Sequence, residues 1–219
     1  HSFPTRRSSD LKFTGTDLFG NLNFDGTETP QSITLRKGEA PAEKPGFPCV
    51  VKPCSGGSSV GTSIVYDEAA FADALALAFR YEDAVLVETY VRGRELTVGV
   101  MDGKAMPVIE IIVKNGFYDY KNKYQAGLTE EVCPAQIPQA LTERAQKLSE
   151  QVMSCLMVEA YCRTDLLYDE QADVLYCLEA NTLPGMTPTS LIPQMGLAMD
   201  MDYGELCQRI LEVSLKKYE

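Results

Sequence analysis

The chain has 219 residues, of which 45% are apolar, and a formal net charge of -11. This charge argues against a nucleic-acid partner, because proteins that bind a phosphate backbone need a basic surface. The sequence also lacks any apolar run of the roughly 18 residues that a membrane span needs, so we expect no membrane partner. His1 is the only histidine, which excludes a Ser-His-Asp triad and an H-E-x-x-H zinc site.

Seven cysteines occur without any C-x-x-C pair. Several of them, including Cys49, Cys162 and Cys177, stand in apolar runs that resemble strands. Buried thiols are typical of proteins from a reducing compartment. The cysteine pattern therefore predicts a cytoplasmic protein.

The first part of the chain carries little pattern. Residues 1–11 have neither periodicity nor the apolar stretch of a targeting signal, and they look like the translation of a common sequencing-adapter oligonucleotide. We expect this segment to be an artefact and the natural sequence to be truncated at its start; an ordinary disordered terminus is the alternative. Residues 12–46 are rich in Gly, Thr, Pro and Glu, which predicts a linker or the remnant of a preceding region, with one extended candidate at Ser32–Leu35.

The organised part begins at Phe47 and combines short apolar strands with helices, so we expect a sheet with helices covering its back. The polar stretch Lys114–Pro138 is too long for a passive connection and predicts a lid or a binding loop. Strands are predicted at Phe47–Lys52, Thr62–Val65, Ala84–Glu88, Glu95–Met101 and Met106–Val113, and helices at Asp67–Arg80, Gln139–Met157 and Met201–Lys217.

Four polar residues mark a predicted hairpin near the end of the chain. Alternation along a strand places Arg163 and Asp165 on one face, and likewise Glu179 and Asn181. If Tyr168–Asp173 forms the turn, one antiparallel register places Asp165 opposite Glu179 and Arg163 opposite Asn181. All four side chains then point the same way.

The same register pairs Leu166 with Leu178 and Thr164 with Ala180 on the opposite face, which we expect to be the core. The polar face suits a hard cation such as Mg²⁺, because carboxylate and amide oxygens are its preferred protein ligands and phosphate supplies others. For four polar residues taken alone, a solvated face carrying a salt bridge is the alternative.

A loop rich in glycine and serine, Ser55–Gly61, lies between two predicted strands. Such a loop can turn successive backbone N–H groups toward a phosphate, and Ser58 and Ser59 add hydroxyl donors. The sequence has no P-loop signature. A hairpin turn is the alternative for the loop alone, but Lys52 directly before it favours a phosphate cradle.

The run Val85–Val91 predicts a strand followed by a short linker. Backbone groups of such a linker can bind an adenine edge, and the carboxylate of Glu95 beyond it can accept hydrogen bonds from ribose hydroxyls. A helix cap or a surface position is the alternative for Glu95.

Several motifs then agree, in order and spacing, with those of one family. They are Val51-Lys52-Pro53, Gly57-Ser58-Ser59-Val60-Gly61, Phe117-Tyr118-Asp119-Tyr120, Lys123-Tyr124, Cys133-Pro134 and Glu179-Ala180-Asn181-Thr182-Leu183-Pro184-Gly185-Met186-Thr187. From about Phe13 to its end, the chain resembles the D-alanine:D-alanine ligases, which are ATP-grasp enzymes.

The resemblance implies an α+β ATP-grasp fold, with antiparallel-rich sheets, helices packed on one side and two subdomains that clasp ATP. The central subdomain would span residues 47–101 and the C-terminal subdomain residues 102–219. The family's preceding α/β domain of about 100 residues, which binds the first D-alanine, has no counterpart here. Residues 21–30 also lack a lysine that the family uses for phosphate, and Thr89 stands where a lysine is common.

The implied activity is the ATP-dependent joining of two D-alanines through an acyl phosphate, for peptidoglycan synthesis. ATP, D-alanine and two Mg²⁺ or Mn²⁺ ions would bind, and the full-length protein would be a cytoplasmic homodimer. The matching motifs imply roles for individual residues. For ATP, Lys52, Ser59 and Lys123 would bind phosphate, Glu88 and Val91 would bind adenine, and Glu95 would bind ribose. The metal ions would be bound by Asp165, Glu179 and Asn181. For the reaction, Arg163 and Gly185 would stabilise the oxyanion, Ser190 and Leu191 would bind the second substrate, and Ser58 and Tyr124 would belong to a hydrogen-bonded set beside the reacting amine.

Two alternatives remain at this point. One is another ATP-grasp carboxylate–amine ligase, such as a type that accepts D-serine or D-lactate, although the pair Lys123-Tyr124 resembles the dipeptide-forming enzymes. The other is a non-catalytic module that binds ATP without turning it over.

Overall fold

A computed structural model describes residues 27–39, 45–54, 60–113 and 129–218. The predicted adapter segment, residues 1–11, lies outside these ranges. The chain divides into two compact units, one containing Thr29–Arg92 and the other containing Gly93–Ile112 and Glu130–Glu219. Among the described residues, no helix combines the length and the apolar character that crossing a membrane would require.

The first unit is built on a four-stranded antiparallel sheet with the order β2-β5-β3-β4. Its strands are β2 (Ser32–Arg36), β3 (Cys49–Pro53), β4 (Ser63–Val65) and β5 (Ala84–Thr89). Helix α1 (Glu68–Ala78) packs against β3 and β4. Each end of these strands and of this helix lies within two residues of the predicted end.

Helix α1 begins where its sequence supplies a cap and lies with one apolar face against the sheet. The Asp67 carboxylate accepts a hydrogen bond from the Ala70 N–H at 3.0 Å, an interaction typically worth about 1 kcal/mol. Phe71, Ala74 and Ala78 follow at helical spacing and are buried. The resulting core consists of Leu35, Cys49, Val51, Val65, Phe71, Ala74, Ala78, Val85 and Val87.

The second unit contains a six-stranded sheet with the order β1-β10-β9-β6-β7-β8. The short strand β1 pairs with β10 in parallel, whereas β10, β9, β6 and β7 pair antiparallel. The strands are β1 (Thr27–Glu28), β6 (Arg94–Met101), β7 (Lys104–Val113), β8 (Thr129–Val132), β9 (Tyr161–Asp169) and β10 (Val174–Asn181), and the helices are α2 (Gln139–Cys155), α3 (Leu191–Leu197) and α4 (Tyr203–Leu215).

Helices α2 and α3 lie on opposite faces of β6. Met153 of α2 belongs to a buried cluster with Val100 of β6. On the other face, a Cβ atom at Gly99 would lie 2.6 Å from Ile192 Cδ1 and 2.9 Å from Met195 Sδ of α3. The Gly99 N–H also donates to Met195 Sδ at 3.1 Å. Glycine at this position therefore allows α3 to approach the sheet closely.

The predicted α+β class with antiparallel-rich sheets is confirmed, but the helices do not all pack on one side as predicted, because α2 and α3 lie on opposite faces of β6. Three elements go beyond the prediction. Strand β1 lies in the segment predicted as a linker, and β8 lies in the stretch predicted as irregular. The alternation of β8 is hidden because its central residues are two exposed glutamates. Helix α3 was missed because it is short and contains Pro193, which the first helical turn tolerates since its N–H groups have no intrahelical partner.

The division between the units falls between Arg92 and Gly93, earlier in the chain than the predicted boundary after Met101. The reason is the pairing of β6, which forms hydrogen-bonded ladders with β7 and β9 of the second unit. Close backbone approach reinforces this placement, because a Cβ atom at Gly93 would lie 2.5 Å from the carbonyl oxygen of Tyr168 in β9.

Candidate active site

The β9–β10 hairpin has the predicted register at its open end. Asp165 lies opposite Glu179, Arg163 opposite Asn181 and Thr164 opposite Ala180. Thr164 and Ala180 are buried, whereas the four polar residues are half-buried on the other face. We call Arg163, Asp165, Glu179 and Asn181 the hairpin cluster.

The register nearer the turn differs from the predicted one. Leu166 pairs with Cys177, not with Leu178. The reason is a bulge in β10, in which Leu178 is the extra residue between the pairs Leu166–Cys177 and Asp165–Glu179. The turn is also shorter than predicted, since β9 continues to Asp169. The Asp169 carboxylate closes this turn by accepting hydrogen bonds from the N–H groups of Gln171 at 2.8 Å and Ala172 at 3.1 Å.

Asp165 is the centre of the hairpin cluster. Arg163 donates to it from two nitrogens, Nε to Oδ1 and Nη2 to Oδ2, both at 2.8 Å. This forked geometry is the strong form of an arginine–carboxylate pair. Asn181 Nδ2 donates to Asp165 Oδ2 at 2.9 Å and to Glu179 Oε1 at 3.2 Å. One amide nitrogen thus contacts both carboxylates, so the two acids converge on one point.

A fourth donor comes from a residue that the sequence reading did not include. Thr97 of β6 donates from Oγ1 to Asp165 Oδ1 at 2.7 Å. Thr97 lies directly opposite Asp165 in the β6–β9 ladder and is fully buried. Strand alternation could have identified Thr97 as a candidate, because it stands two residues after the predicted site residue Glu95 in a predicted strand and therefore lies on the same face.

The donor chemistry of the hairpin cluster fits a divalent cation. Two carboxylates, one guanidinium and one neutral amide give the cluster a net charge of about -1 at neutral pH. Burial, with a further contribution from the Asp165 and Glu179 carboxylates, raises the pKa of the Cys177 thiol behind them to about 12. Among the described residues no group of three or more His, Cys, Asp or Glu side chains gathers as a metal site, so a bound ion would need Asn181 and external ligands such as phosphate.

A second group of predicted residues lies in the loop after β10. Ser190 Oγ accepts a hydrogen bond from the Thr187 N–H at 3.1 Å and lies 2.7 Å from Thr187 Oγ1. A Cβ atom at Gly185 would lie 3.0 Å from Ser190 Oγ, so the backbone at Gly185 passes close to this hydroxyl. Leu191 is the first residue of α3. The predicted oxyanion and second-substrate residues Gly185 and Ser190 are therefore neighbours.

The first unit carries the predicted nucleotide residues Lys52 and Glu88. Their side chains form an ion pair and are 16% and 12% exposed. Val50, not Lys52, lies directly opposite Glu88, so the pair is diagonal across β3 and β5. Val91 is half-buried just after β5, and Glu95 is half-buried in β6 of the second unit.

The remaining predicted site residues, Ser58, Ser59, Lys123 and Tyr124, lie outside the described residues. Their implied roles in binding phosphate and in the set beside the reacting amine stay predictions.

Comparison with known proteins shows to which family the chain is related. The family model "D-ala D-ala ligase C-terminus" matches residues 25–212. The chain belongs to the D-alanine–D-alanine ligase family. The D-alanine–D-alanine ligase of Syntrophotalea carbinolica is 39% identical over 95% of this chain and 72% of its own length. That of Pediococcus pentosaceus is 44% identical over 79% of this chain and 49% of its own length.

A solved structure supports the same family assignment. The D-alanine–D-alanine ligase of Bacillus anthracis, crystallised as a complex with ATP, superposes with a TM-score of 0.76 at 34% identity. The match covers 91% of this chain and 64% of the Bacillus chain. The chain therefore spans between about half and three quarters of the length of these three ligases.

Proposed function

We propose that the protein joins two D-alanines into D-alanyl-D-alanine, with ATP as the energy source, for the synthesis of peptidoglycan. The observation that carries the proposal is the convergence of Asp165 and Glu179 on one amide nitrogen, with Arg163 beside them. In a chain of the D-alanine–D-alanine ligase family, such a face is suited to divalent cations that bind the phosphates of ATP.

The reaction needs activation because a carboxylate is a poor electrophile. Transfer of the γ-phosphoryl group to the first D-alanine gives an acyl phosphate, and the amine of the second D-alanine then displaces phosphate. Lys52 and Lys123 would balance the charge of the phosphates, with Ser59 closing over them. Glu88 and Val91 would hold adenine, and Glu95 would accept hydrogen bonds from the ribose.

Asp165, Glu179 and Asn181 would hold two Mg²⁺ or Mn²⁺ ions. When bound, these ions neutralise the charge that spreads over the transferring phosphoryl oxygens. The convergence of the acids supports this role, because a cation placed between them relieves their mutual repulsion. Asn181 would contribute its oxygen, which a rotation of the carboxamide group brings to the place of its nitrogen.

Arg163 and the backbone N–H of Gly185 would stabilise the oxyanion that forms when the amine attacks. Donors fixed in place before the reaction are effective because they need no reorganisation as charge develops. Ser190 and Leu191 would receive the carboxylate of the second D-alanine, and Gly185 supports this arrangement by its closeness to Ser190. Ser58 and Tyr124 would form a hydrogen-bonded set near the amine.

The test is ADP release by the full-length protein with MgATP and D-alanine, using L-alanine as the control. We expect D-alanine to stimulate ADP release by more than tenfold and L-alanine to have no effect. Failure of D-alanine to stimulate release would refute the proposal.

The same assay separates the alternatives. Stimulation by D-serine or D-lactate in the presence of D-alanine, stronger than by D-alanine alone, would identify a ligase with another second substrate. Tight MgATP binding without turnover for any amino acid would identify a nucleotide-binding module.

We further propose that the full-length enzyme is a homodimer that acts in the cytoplasm. The buried free thiols of Cys162 and Cys177 support a reducing compartment. Sedimentation of the full-length protein at twice the monomer mass is the expected result for the dimer.

A further inference from the structure

The strand β6 contributes a buried hydroxyl to the hairpin cluster. Thr97 is 0% exposed, and its Oγ1 lies 2.7 Å from Asp165 Oδ1 and 3.2 Å from the Thr164 carbonyl oxygen. A hydroxyl has one proton to donate. The carboxylate is the charged and nearer acceptor, so the hydrogen bond to Asp165 is the favoured one.

Thr97 differs from the other donors to Asp165 in its freedom to move. Arg163 and Asn181 reach Asp165 through side chains that are half-buried and rotatable. Thr97 is β-branched, which restricts its χ1 angle, and it stands on a strand that is paired on both sides, with β7 and with β9. It is therefore the donor whose position the fold sets most rigidly.

The two oxygens of Asp165 consequently have different surroundings. Each oxygen receives one N–H of Arg163. In addition, Oδ1 receives the Thr97 hydroxyl, whereas Oδ2 receives Asn181 Nδ2, which also contacts Glu179 Oε1. Because the Arg163 side chain can rotate together with the carboxylate, the hydrogen bond from the rigid Thr97 to Oδ1 is the one that stops rotation about the χ2 angle of Asp165. It thereby keeps Oδ2 directed toward Glu179.

We propose that Thr97 is a positioning residue that fixes the Asp165 carboxylate so that Oδ2 faces a divalent cation shared with Glu179. The inference rests on the proposed role of Asp165 as a metal ligand. Hydrogen-bond partners behind metal ligands typically change metal affinity by about 10- to 100-fold when they are removed.

The experiment measures how strongly Mn²⁺ enhances nucleotide binding. Calorimetry gives the Kd of a non-hydrolysable ATP analogue with and without saturating Mn²⁺. The enhancement is the Kd without Mn²⁺ divided by the Kd with Mn²⁺. The variant Thr97→Val removes the hydroxyl and nearly keeps the shape, whereas Thr97→Ser keeps the hydroxyl. Thr164→Val is the matched control, because Thr164 is equally buried and adjacent to Asp165, but on the opposite face of β9.

We expect Thr97→Val to reduce the enhancement about tenfold. Thr97→Ser and Thr164→Val should retain it within about threefold, and nucleotide affinity without metal should be unchanged in all three. Retained enhancement in Thr97→Val would overturn the proposal. A tenfold loss in Thr97→Ser relative to the wild type would also overturn it, because the hydroxyl is still present. That result remains decisive if Thr97→Val does not fold.

The variant Asp165→Asn distinguishes failure of this inference from failure of the proposed metal site. If Asp165→Asn loses the enhancement while Thr97→Val keeps it, Asp165 binds metal and the positioning role alone is wrong. If Asp165→Asn keeps the full enhancement, the proposed metal site is wrong and the role of Thr97 falls with it.

Discussion

The hairpin cluster and the Lys52–Glu88 pair both join charged side chains on neighbouring strands, but they are held in different ways. Within the described residues, Asp165 accepts hydrogen bonds from Thr97 on β6, Arg163 on β9 and Asn181 on β10. Lys52 and Glu88 form one ion pair between two strands. The Asp165 carboxylate is thus held in place before any ligand arrives, whereas a phosphate must compete with Glu88 for Lys52. Changes at Arg163 should therefore act on turnover. Changes at the proposed metal ligands should act on turnover and on the enhancement of nucleotide binding by metal, and changes in the pair should act on nucleotide affinity.

The largest effect is expected for Glu179→Gln. The substitution keeps the shape but removes one of the two carboxylates that converge on Asn181. D-alanine-dependent ADP release should fall by more than about 100-fold, since loss of a direct ligand should exceed the effect of losing an outer hydrogen-bond partner. A conservative control is Glu205→Gln, an exposed carboxylate at the start of α4. Similar turnover in both variants would contradict the metal role.

Arg163→Lys should have the next largest effect. Lysine keeps the positive charge but cannot reproduce the two-nitrogen contact with Asp165. We expect kcat to fall by about 100-fold, the scale for removal of one oxyanion donor, while nucleotide affinity changes by less than about threefold. Steady-state kinetics and calorimetry check the two values. A drop in affinity with normal kcat would reverse the contrast drawn between the two regions.

Lys52→Met should weaken nucleotide binding by about tenfold, the scale of one hydrogen bond to a charged group. The substitution leaves the Glu88 carboxylate without its ion-pair partner. The matched control is the double variant Lys52→Met, Glu88→Gln, because it also removes the buried negative charge that the single variant leaves behind. Calorimetry with MgATP measures both. An unchanged Kd in the single and the double variant would exclude Lys52 from the phosphate site.

Gly99→Ala should destabilise the second unit by about 1–3 kcal/mol, the usual cost of overpacking. The added methyl group would lie 2.6 Å from Ile192 Cδ1 and 2.8 Å from Met106 Sδ. Gly46→Ala is the control, because among the described residues other than its two chain neighbours no atom lies within 4 Å of its added Cβ. Urea denaturation of both variants measures the difference, and equal unfolding free energies would show that α3 can move away from β6 without cost.

The smallest effect concerns Cys162, behind the hairpin cluster. Burial raises the pKa of this thiol to about 11, so the folded state retains a proton that the unfolded state loses above the ordinary thiol pKa. Unfolding free energy should therefore decrease as pH rises through this window, by about 1 kcal/mol at pH 10. Cys162→Ala, although less stable at neutral pH, should show a shallower decline. Identical slopes in urea denaturation between pH 8 and 10 would contradict the shift.

Sequence reasoning succeeded where short-range pattern decides the structure. The alternation around Asp165 and Glu179, joined by a short turn, was enough to predict which residues face each other. It failed at Leu178, because an apolar residue fits both a regular strand and a bulge. It also missed Thr97, whose hydrogen-bond partner is 68 residues away in the chain. Such a contact depends on β6 pairing with β9, which a hairpin pattern does not contain.

The Lys52–Glu88 pair illustrates the same limit. Each residue was predicted separately as a nucleotide contact, and their mutual ion pair follows from the pairing of β3 with β5, elements separated by helix α1. The family resemblance supplied roles for both side chains. It did not supply the arrangement that they adopt with each other.

The central claim is that the hairpin cluster is the catalytic centre of a D-alanine ligase. It is tested most directly by D-alanine-dependent ADP release in full-length wild-type protein and in Asp165→Asn, measured over a range of Mg²⁺ concentrations. We predict that the wild type responds to D-alanine and saturates with Mg²⁺, and that Asp165→Asn loses more than about 100-fold in activity at every Mg²⁺ concentration. Equal turnover by a folded Asp165→Asn would contradict the claim.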